Sequence, residues 1–311
     1  MSISFPNLGI GPFDIQNYFE VFGFKIYWYG VIIAIAFALA IILATGASKK
    51  FGIDSETIID LALWAVPISV VTARLYYVVF DLKSFNSFID VINLRKGGLA
   101  IYGGIIGAVL TTYIFARIKK INILSLLDFG VPYLVLGQAI GRWGNFTNQE
   151  AYGTHTDLPW GMSGSNIADG PVHPTFLYES LWNLCLFIFL IWFRNRKKIN
   201  GEVFFLYMSL YGAGRFWIES LRTDSLMLGD FRISQVLAFL FALVFIIIFL
   251  VMRMKAAQNG TLDAEVTESK YGALLKTLKD EEENTAVEKN EVEKSPDADT
   301  AEQKTEENEN K

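Results

Sequence analysis

A chain of 311 residues that is 52% hydrophobic and 14% aromatic, with a mean hydropathy of +0.34, is too apolar for a water-soluble domain and reads as an integral membrane protein. Its net charge of −5 hides two unlike parts: residues 1–259 carry 16 acidic and 20 basic side chains, residues 260–311 carry 16 acidic and 7 basic. One cysteine, Cys185, excludes an intramolecular disulfide, and two histidines, His155 and His173, leave too few ligands for a zinc site of the usual kind, so neither metal nor cofactor is expected.

Residues 1–20 hold no lysine or arginine and no apolar core of signal-peptide length, so no cleaved secretory signal is expected. Residues 3–22 mix Pro6 and Pro12 with glycines and aromatics, a composition expected to lie at the membrane interface without crossing. Seven apolar stretches follow, at residues 27–47, 58–80, 99–116, 124–140, 176–193, 203–221 and 233–252, each near the ~20 residues that span a hydrocarbon core. Lys49 and Lys50 follow the first. Arg117, Lys119 and Lys120 follow the third, Arg194, Arg196, Lys197 and Lys198 the fifth, and Arg253 and Lys255 the seventh. By the positive-inside rule these connections are cytoplasmic.

The expected fold is therefore an all-α membrane protein of seven transmembrane helices, with the N-terminus outside and the C-terminus inside. The largest outer connection, residues 142–173, is expected to form a small extracytoplasmic cap. Residues 1–258 make the membrane domain. Residues 259–311, rich in Glu and Lys, are too polar to bury a core and read as a disordered cytoplasmic tail. No internal repeat is visible, which weakens an inverted-repeat transporter.

Chemistry concentrates at residues 141–153, Gly-Arg-x-Gly-Asn-Phe-x-Asn-x-Glu-x-x-Gly, where the fourth apolar run gives way to polar residues. Arg142 offers a planar cationic fork, Asn145 and Asn148 offer amides, and Glu150 a carboxylate. The glycines, Gly153 among them, permit a turn or a close approach. This mixture suits a polyoxygenated anion; the alternative is a membrane-exit turn with Arg142 reaching to lipid headgroups. Arg215, Glu219 and Arg222 are spaced by four and three residues and share one helix face. They form either an ion pair with an anchoring arginine, or a phosphate site completed by Arg142. Tyr29, beside Tyr27 and Trp28, fits an aromatic belt, and His173 fits a cap on the fifth stretch.

The motif of residues 141–153 resembles the signature of prolipoprotein diacylglyceryl transferases. Tyr102-Gly103-Gly104-Ile105-Ile106-Gly107, His173-Pro174-Thr175-x-x-Tyr178-Glu179 and Gly214-Arg215-Phe216-x-x-Glu219-x-x-Arg222 are similar to further motifs of that family in the same order, over roughly residues 27–253. Trp28-Tyr29-Gly30 matches a motif whose tyrosine is functionally important. At Tyr102 family members often carry histidine, so a universal histidine base does not transfer to this chain. The resemblance implies transfer of a diacylglyceryl group from phosphatidylglycerol to the lipobox cysteine thiol of a prolipoprotein, with release of glycerol 1-phosphate. It implies catalytic roles for Arg142, Arg215, Tyr102 and Tyr29. Substrate binding would fall to Arg142, Asn145, Asn148, Glu150, Gly153, Arg215, Glu219, Arg222 and His173, with a bacterial plasma membrane location and no nucleic-acid partner.

Three rivals remain at this level. An anion transporter or channel needs basic residues along both halves of the membrane, and a scaffold leaves the clustered arginines unexplained. The run Gly161-Met162-Ser163-Gly164 matches the Gly-x-Ser-Gly of intramembrane proteases, but no histidine follows His173.

Overall fold

The computed structural model describes residues 1–85, 87–94, 97–167, 170–223, 227–228, 231–259 and 277. Helices dominate them: α1 (Trp28–Ser48), α2 (Ser55–Phe80), the short α3 (Phe88–Ile92), α4 (Ile101–Ile118), α5 (Ile123–Asn148), α6 (Thr175–Arg194), α7 (Glu202–Glu219) and α8 (Ile233–Gln258). Six helices, all but α3 and α7, are long and apolar enough to cross a membrane, so this is a multi-pass helical membrane protein. α7 matches α4 at 18 residues but carries Glu202, Arg215 and Glu219.

Local signals fix the starts of two helices. The side chains of Asp54 and Asn122 cap α2 and α5, accepting the Glu56 and Ser125 amides at 3.3 and 3.1 Å. α5 is the central helix: it packs on α1 along one flank and on α6 and α7 along the other, while α4 leans on α2 and α8 on α7. α4 approaches α2 closely because Gly103 and Gly107 lack side chains, and a Cβ at either would collide with Tyr76 or Thr72. One apolar core, including Ala44, Ile58, Phe115, Leu126 and Phe129, joins α1, α2, α4 and α5. A second, including Val135, Leu186, Leu190 and Val203, joins α5, α6 and α7.

At the end of the bundle where α6 begins lies a thin β layer. Strands β1 (Ser2–Phe5) and β2 (Ile10–Asp14) are antiparallel, and β5 (Ser163–Gly164) pairs with the other edge of β1. Ile3 is 1% exposed and packs with Met162, Val172 and Phe176, which seats the 150–174 connection on the start of α6. Strands β3 (Tyr18–Val21) and β4 (Phe24–Tyr27) form a hairpin that runs into α1, and the short β6 (Met227–Leu228) and β7 (Phe231–Arg232) precede α8.

Residues 3–22, expected at the interface without crossing, contain strands, and β1 finds in residues 163–164 a partner that is distant in sequence. One expectation needs correction: the polar run after Ile140 does not end the fourth helix, since α5 continues two turns to Asn148 and the chain turns only at Gln149 and Ala151, with φ of 53° and 56°. Gly141 and Gly144 serve close packing there, not bending. A Cβ on Gly144 would enter the ring of Tyr29, and one on Gly141 would sit 3.2 Å from Ile33 Cδ1. The tail from residue 260 onward, Thr277 excepted, lies outside the described residues.

Charged pairs tie helix ends together at the opposite end of the bundle. Lys119 meets Asp60 at 3.0 Å, Arg253 meets Glu202 at 2.9 Å, and Lys197 meets Asp128 at 3.0 Å. Asp128, 2% exposed, also accepts the Gly201 and Phe204 amides at 2.7 and 2.9 Å, so a side chain of α5 caps the start of α7. Asp128→Ala leaves the buried Lys197 ammonium and two amides without their acceptor, and is expected to cost about 3–5 kcal/mol. A lowered unfolding midpoint in detergent is the readout. An unchanged midpoint would show that the pair contributes nothing to the bundle.

Candidate active site

Three helix ends converge on one carboxylate. Glu179, on the second turn of α6 and 4% exposed, receives Arg142 from the last turns of α5, Arg215 from the end of α7 and Arg222 from just beyond it. Arg215 Nη1 lies 2.8 Å and Arg222 Nη1 3.5 Å from Glu179 Oε1, while Arg142 Nη2 takes Oε2. Arg215 Nη2 also pairs with Glu219 Oε2 at 2.5 Å, one helical turn on, and Glu219 is 2% exposed. Three guanidiniums over two carboxylates leave a net positive charge in a poorly hydrated place, where a further anion is attracted more strongly than in water. The arginine side chains keep 24, 22 and 11% exposure at positions 142, 215 and 222, so the cluster is reached from outside while its acids are not. A narrow recess between α6 and α7, lined by Glu179, Arg215, Asn183 and Tyr211, opens beside it.

The rest of the 141–153 motif is built around the turn that ends α5. Glu150 Oε1 accepts the Asn145 and Asn148 side-chain amides at 2.9 and 3.3 Å, and the Glu150 amide closes on Asn145 O at 3.1 Å. The two acids of the motifs thus part company: Glu219 holds Arg215, and Glu150 takes the two amides. Gln149, buried in the left-handed conformation, ties the turn to the β layer by donating to Ser2 O at 3.0 Å and accepting the Asn166 amide at 2.9 Å. Gly153 bridges Arg222 and donates its amide to His173 O at 2.9 Å. Added side-chain bulk there would press on His173 and on Leu221 O, so glycine is what lets the Arg222 strand and the His173 strand close.

His173 and Tyr29 each touch the 141–153 motif, at Gly153 and Gly144. His173 Nδ1 lies 3.1 Å from Tyr178 Oη, which also accepts the Trp160 indole N–H at 2.8 Å, and burial pushes the imidazole pKa below its ordinary value. The ring is therefore held neutral near pH 7. Tyr29, in the first turn of α1, lies with its ring on Gly144 and so joins α1 to the motif helix.

Tyr102 stands elsewhere. It is 60% exposed in the first turn of α4, with its ring 6.4 Å from that of Tyr76 on α2. What fixes that turn is Arg74 of α2, 6% exposed, whose guanidinium donates to the backbone carbonyls of Asp90, Val91, Asn93, Gly97 and Gly98 at 2.6–3.2 Å.

Sequence reasoning passed over two of these residues as site members. Glu179 was visible as the one carboxylate within an otherwise apolar 176–193 run, a signal that marks a membrane acid in need of a partner. Arg74 is a single basic residue toward the end of the second apolar stretch, residues 58–80. Its role depends on a loop folding back over it, which no local pattern encodes.

With this geometry in hand, the likeness to known proteins is informative. A family model described as prolipoprotein diacylglyceryl transferase matches residues 16–251. A Finegoldia magna protein named phosphatidylglycerol–prolipoprotein diacylglyceryl transferase is 47% identical over 222 residues, 71% of this chain and 88% of that one. A Listeria monocytogenes serotype 4b protein of the same name is 46% identical over 278 residues, 86% of this chain and 98% of its own length. One from Clostridioides difficile is 46% identical over 222 residues, 71% of this chain and 88% of its own. All five candidate motifs lie inside the matched span, and the chain belongs to the prolipoprotein diacylglyceryl transferase family.

Proposed function

We propose that this chain moves the diacylglyceryl group of phosphatidylglycerol onto the lipobox cysteine thiol of a prolipoprotein, the first step of lipoprotein maturation. The observation that carries the reading, beside the names of the relatives, is the cluster of three arginines on Glu179. In the reaction a carbon–oxygen bond to phosphate breaks, a carbon–sulfur thioether bond forms, the thiol proton goes to a base, and glycerol 1-phosphate leaves. Arg142 and Arg215 take the phosphate oxygens and stabilise the charge that grows on the leaving oxygen. Bringing a thiol of pKa near 8.5 to neutrality costs about 2 kcal/mol, within reach of one nearby guanidinium.

Arg222 and Glu219 set the geometry of that clamp. Asn145, Asn148, Glu150 and Gly153 shape the headgroup pocket with His173, and Tyr29 and Tyr102 hydrogen-bond the substrates or relay the thiol proton. Lipid and signal peptide both reach the site sideways between helices, the phosphate at headgroup depth.

The reading requires seven crossings, with α7 as the sixth, in a bacterial plasma membrane. Support for counting α7 is its run beside α5: Asp128 caps its start, and Arg215 near its end shares Glu179 with Arg142. Eighteen residues reach about 27 Å, close to a hydrocarbon core. The basic connections then lie inside and the 142–173 cap, the N-terminus and the site lie on the outer leaflet side. Residues 1–258 are the catalytic domain; the tail expected to be cytoplasmic falls almost wholly outside the described residues. An anion transporter is disfavoured because Lys119, Lys197 and Arg253, at the other end, are each matched to a carboxylate.

Purified protein supplied with phosphatidylglycerol and a lipobox peptide is expected to release glycerol phosphate only when the peptide has its cysteine. Arg142→Ala and Arg215→Ala are each expected to remove about 2–4 kcal/mol of transition-state stabilisation, and lysine at either site to lose substantially because it lacks the fork. The double variant should fall short of the product of the two losses, since both arginines hold one phosphate. Near-normal turnover per folded molecule in both lysine variants would remove the clamp from the mechanism.

Glu179→Gln keeps the shape of the acid but not its charge. It is expected to lower stability by about 1–3 kcal/mol, and added phosphatidylglycerol should then raise the unfolding midpoint more than it does for the unaltered protein. An equal or smaller lipid effect would mean that lipid phosphate does not occupy these arginines. For topology, a reporter joined after Lys198 should read cytoplasmic and one at Gly164 exported. The reverse would move every site residue to the inner face.

A further inference from the structure

The β3–β4 hairpin carries an apolar face that is largely exposed among the described residues, with Phe19 alone packed on a neighbour, Trp28. Its register pairs Tyr18 with Tyr27, Phe19 with Ile26, Glu20 with Lys25 and Val21 with Phe24. Partners across an antiparallel pair point the same way, so Phe19, Val21, Phe24 and Ile26 share one face while Tyr18, Glu20, Lys25 and Tyr27 share the other. The first face is wholly apolar. The second is polar and self-satisfied, with the Lys25 ammonium 4.6 Å from the Tyr18 ring centre. Val21, Phe24 and Ile26 are 37, 68 and 36% exposed, and none belongs to any of the three apolar cores.

The tip is stranger still. The two-residue turn is Phe22-Gly23, both at positive φ, 51° and 79°, and Phe22 is 96% exposed. The first position of such a turn favours Asn, Asp or Gly, and a bulky ring there is held at a conformational cost. A lone two-stranded ribbon is marginal in water, and this one presents its apolar side and a ring at its tip to the surroundings.

What covers it follows from where it is attached. β4 runs directly into α1, Phe19 packs on Trp28 with ring centres 4.9 Å apart, and the Trp28 amide donates to Asn17 O at 3.0 Å. α1 is long and apolar enough to cross a membrane and exposes Ile35 and Phe37, so the hairpin's apolar face leads into a helix whose exposed side chains suit acyl chains. Aromatic residues at a helix start, here Trp28 and Tyr29, sit at headgroup level.

We propose that the β3–β4 hairpin is a lipid-binding device: it lies in the leaflet at the Trp28 end of α1, with Phe22 and Phe24 among the acyl chains and Glu20 and Lys25 toward water. It fixes the height of Tyr29, two residues past the hairpin, against the motif helix. The partner is a bilayer surface, not a second copy of the chain or a peptide strand.

The test uses the full chain in single-copy nanodiscs. Cys185→Ser leaves no thiol, and Phe22→Cys or Glu20→Cys then takes an environment-sensitive fluorophore. Emission from position 22 is expected to be blue-shifted, quenched by lipids with nitroxide on the acyl chain and shielded from aqueous iodide. Emission from position 20 is expected to behave in the opposite way. Equal iodide quenching at both positions would overturn the proposal. So would shielding at position 22 that appears only when two copies share a disc, which assigns the face to a second copy, or only when a lipobox peptide is added.

Discussion

A carboxylate buried within an apolar helix is the constraint on which this structure turns. Alone, Glu179 would be costly in a low-dielectric setting, and so would three guanidiniums brought within reach of one another. Together they are tolerable. The compensation requires the end of α5, the start of α6 and the end of α7 to stand at one point, so a local electrostatic need sets the relative height of three helices. Among the described residues the cluster sets three guanidiniums against Glu179 and Glu219, a setting that favours an incoming anion.

A second set of buried charges does the same at the far end. Asp128 binds Lys197 and the first amides of α7, and Glu202 binds Arg253 of α8. α5 and α7 are thus fixed relative to each other at both ends, and the apolar contacts of Val131, Val135, Val203 and Tyr207 fill the length between. In lipid, apolar side chains gain little by leaving their surroundings for one another, so polar pins of this kind carry much of the specificity of helix placement. By contrast, α2 and α4 meet through glycines and small residues, and this pair stands to one side of the arginine cluster.

Much of this was legible beforehand. Apolar run lengths located the seven long helices, although α5 and α8 run on well past their apolar stretches, and the i, i+4 spacing of Arg215 and Glu219 anticipated their pairing. The motifs anticipated that Arg142, Arg215 and Arg222 would meet. The rest depended on contacts between distant parts of the chain. That Glu179, not Glu150, gathers the arginines depends on how α6 is rotated against α5. That residues 141–148 stay helical depends on Tyr29 packing against Gly144, since the polarity of the stretch alone reads as an exit from the membrane. The N-terminal strands were hidden because each is four or five residues long and one of them is completed by residues 163–164.

The environment of Arg74 bears on how freely the chain around it can change over evolutionary time. Its guanidinium donates to the main-chain oxygens of Asp90, Val91, Asn93, Gly97 and Gly98 and lies over the Phe85 ring, 4.9 Å from its centre. A carbonyl is the same whichever side chain accompanies it, so these five bonds themselves place little demand on the side chains at positions 90, 91 and 93, although the Asp90 carboxylate also accepts the Ser87 hydroxyl at 2.9 Å. Gly97 and Gly98 are the exception, because their φ of 78° and 80° excludes most other residues, and at Gly98 a side chain would strike Arg74 itself. A surface segment can in this way drift in sequence, and change what it shows to the outside, while the first turn of α4 and Tyr102 stay where they are.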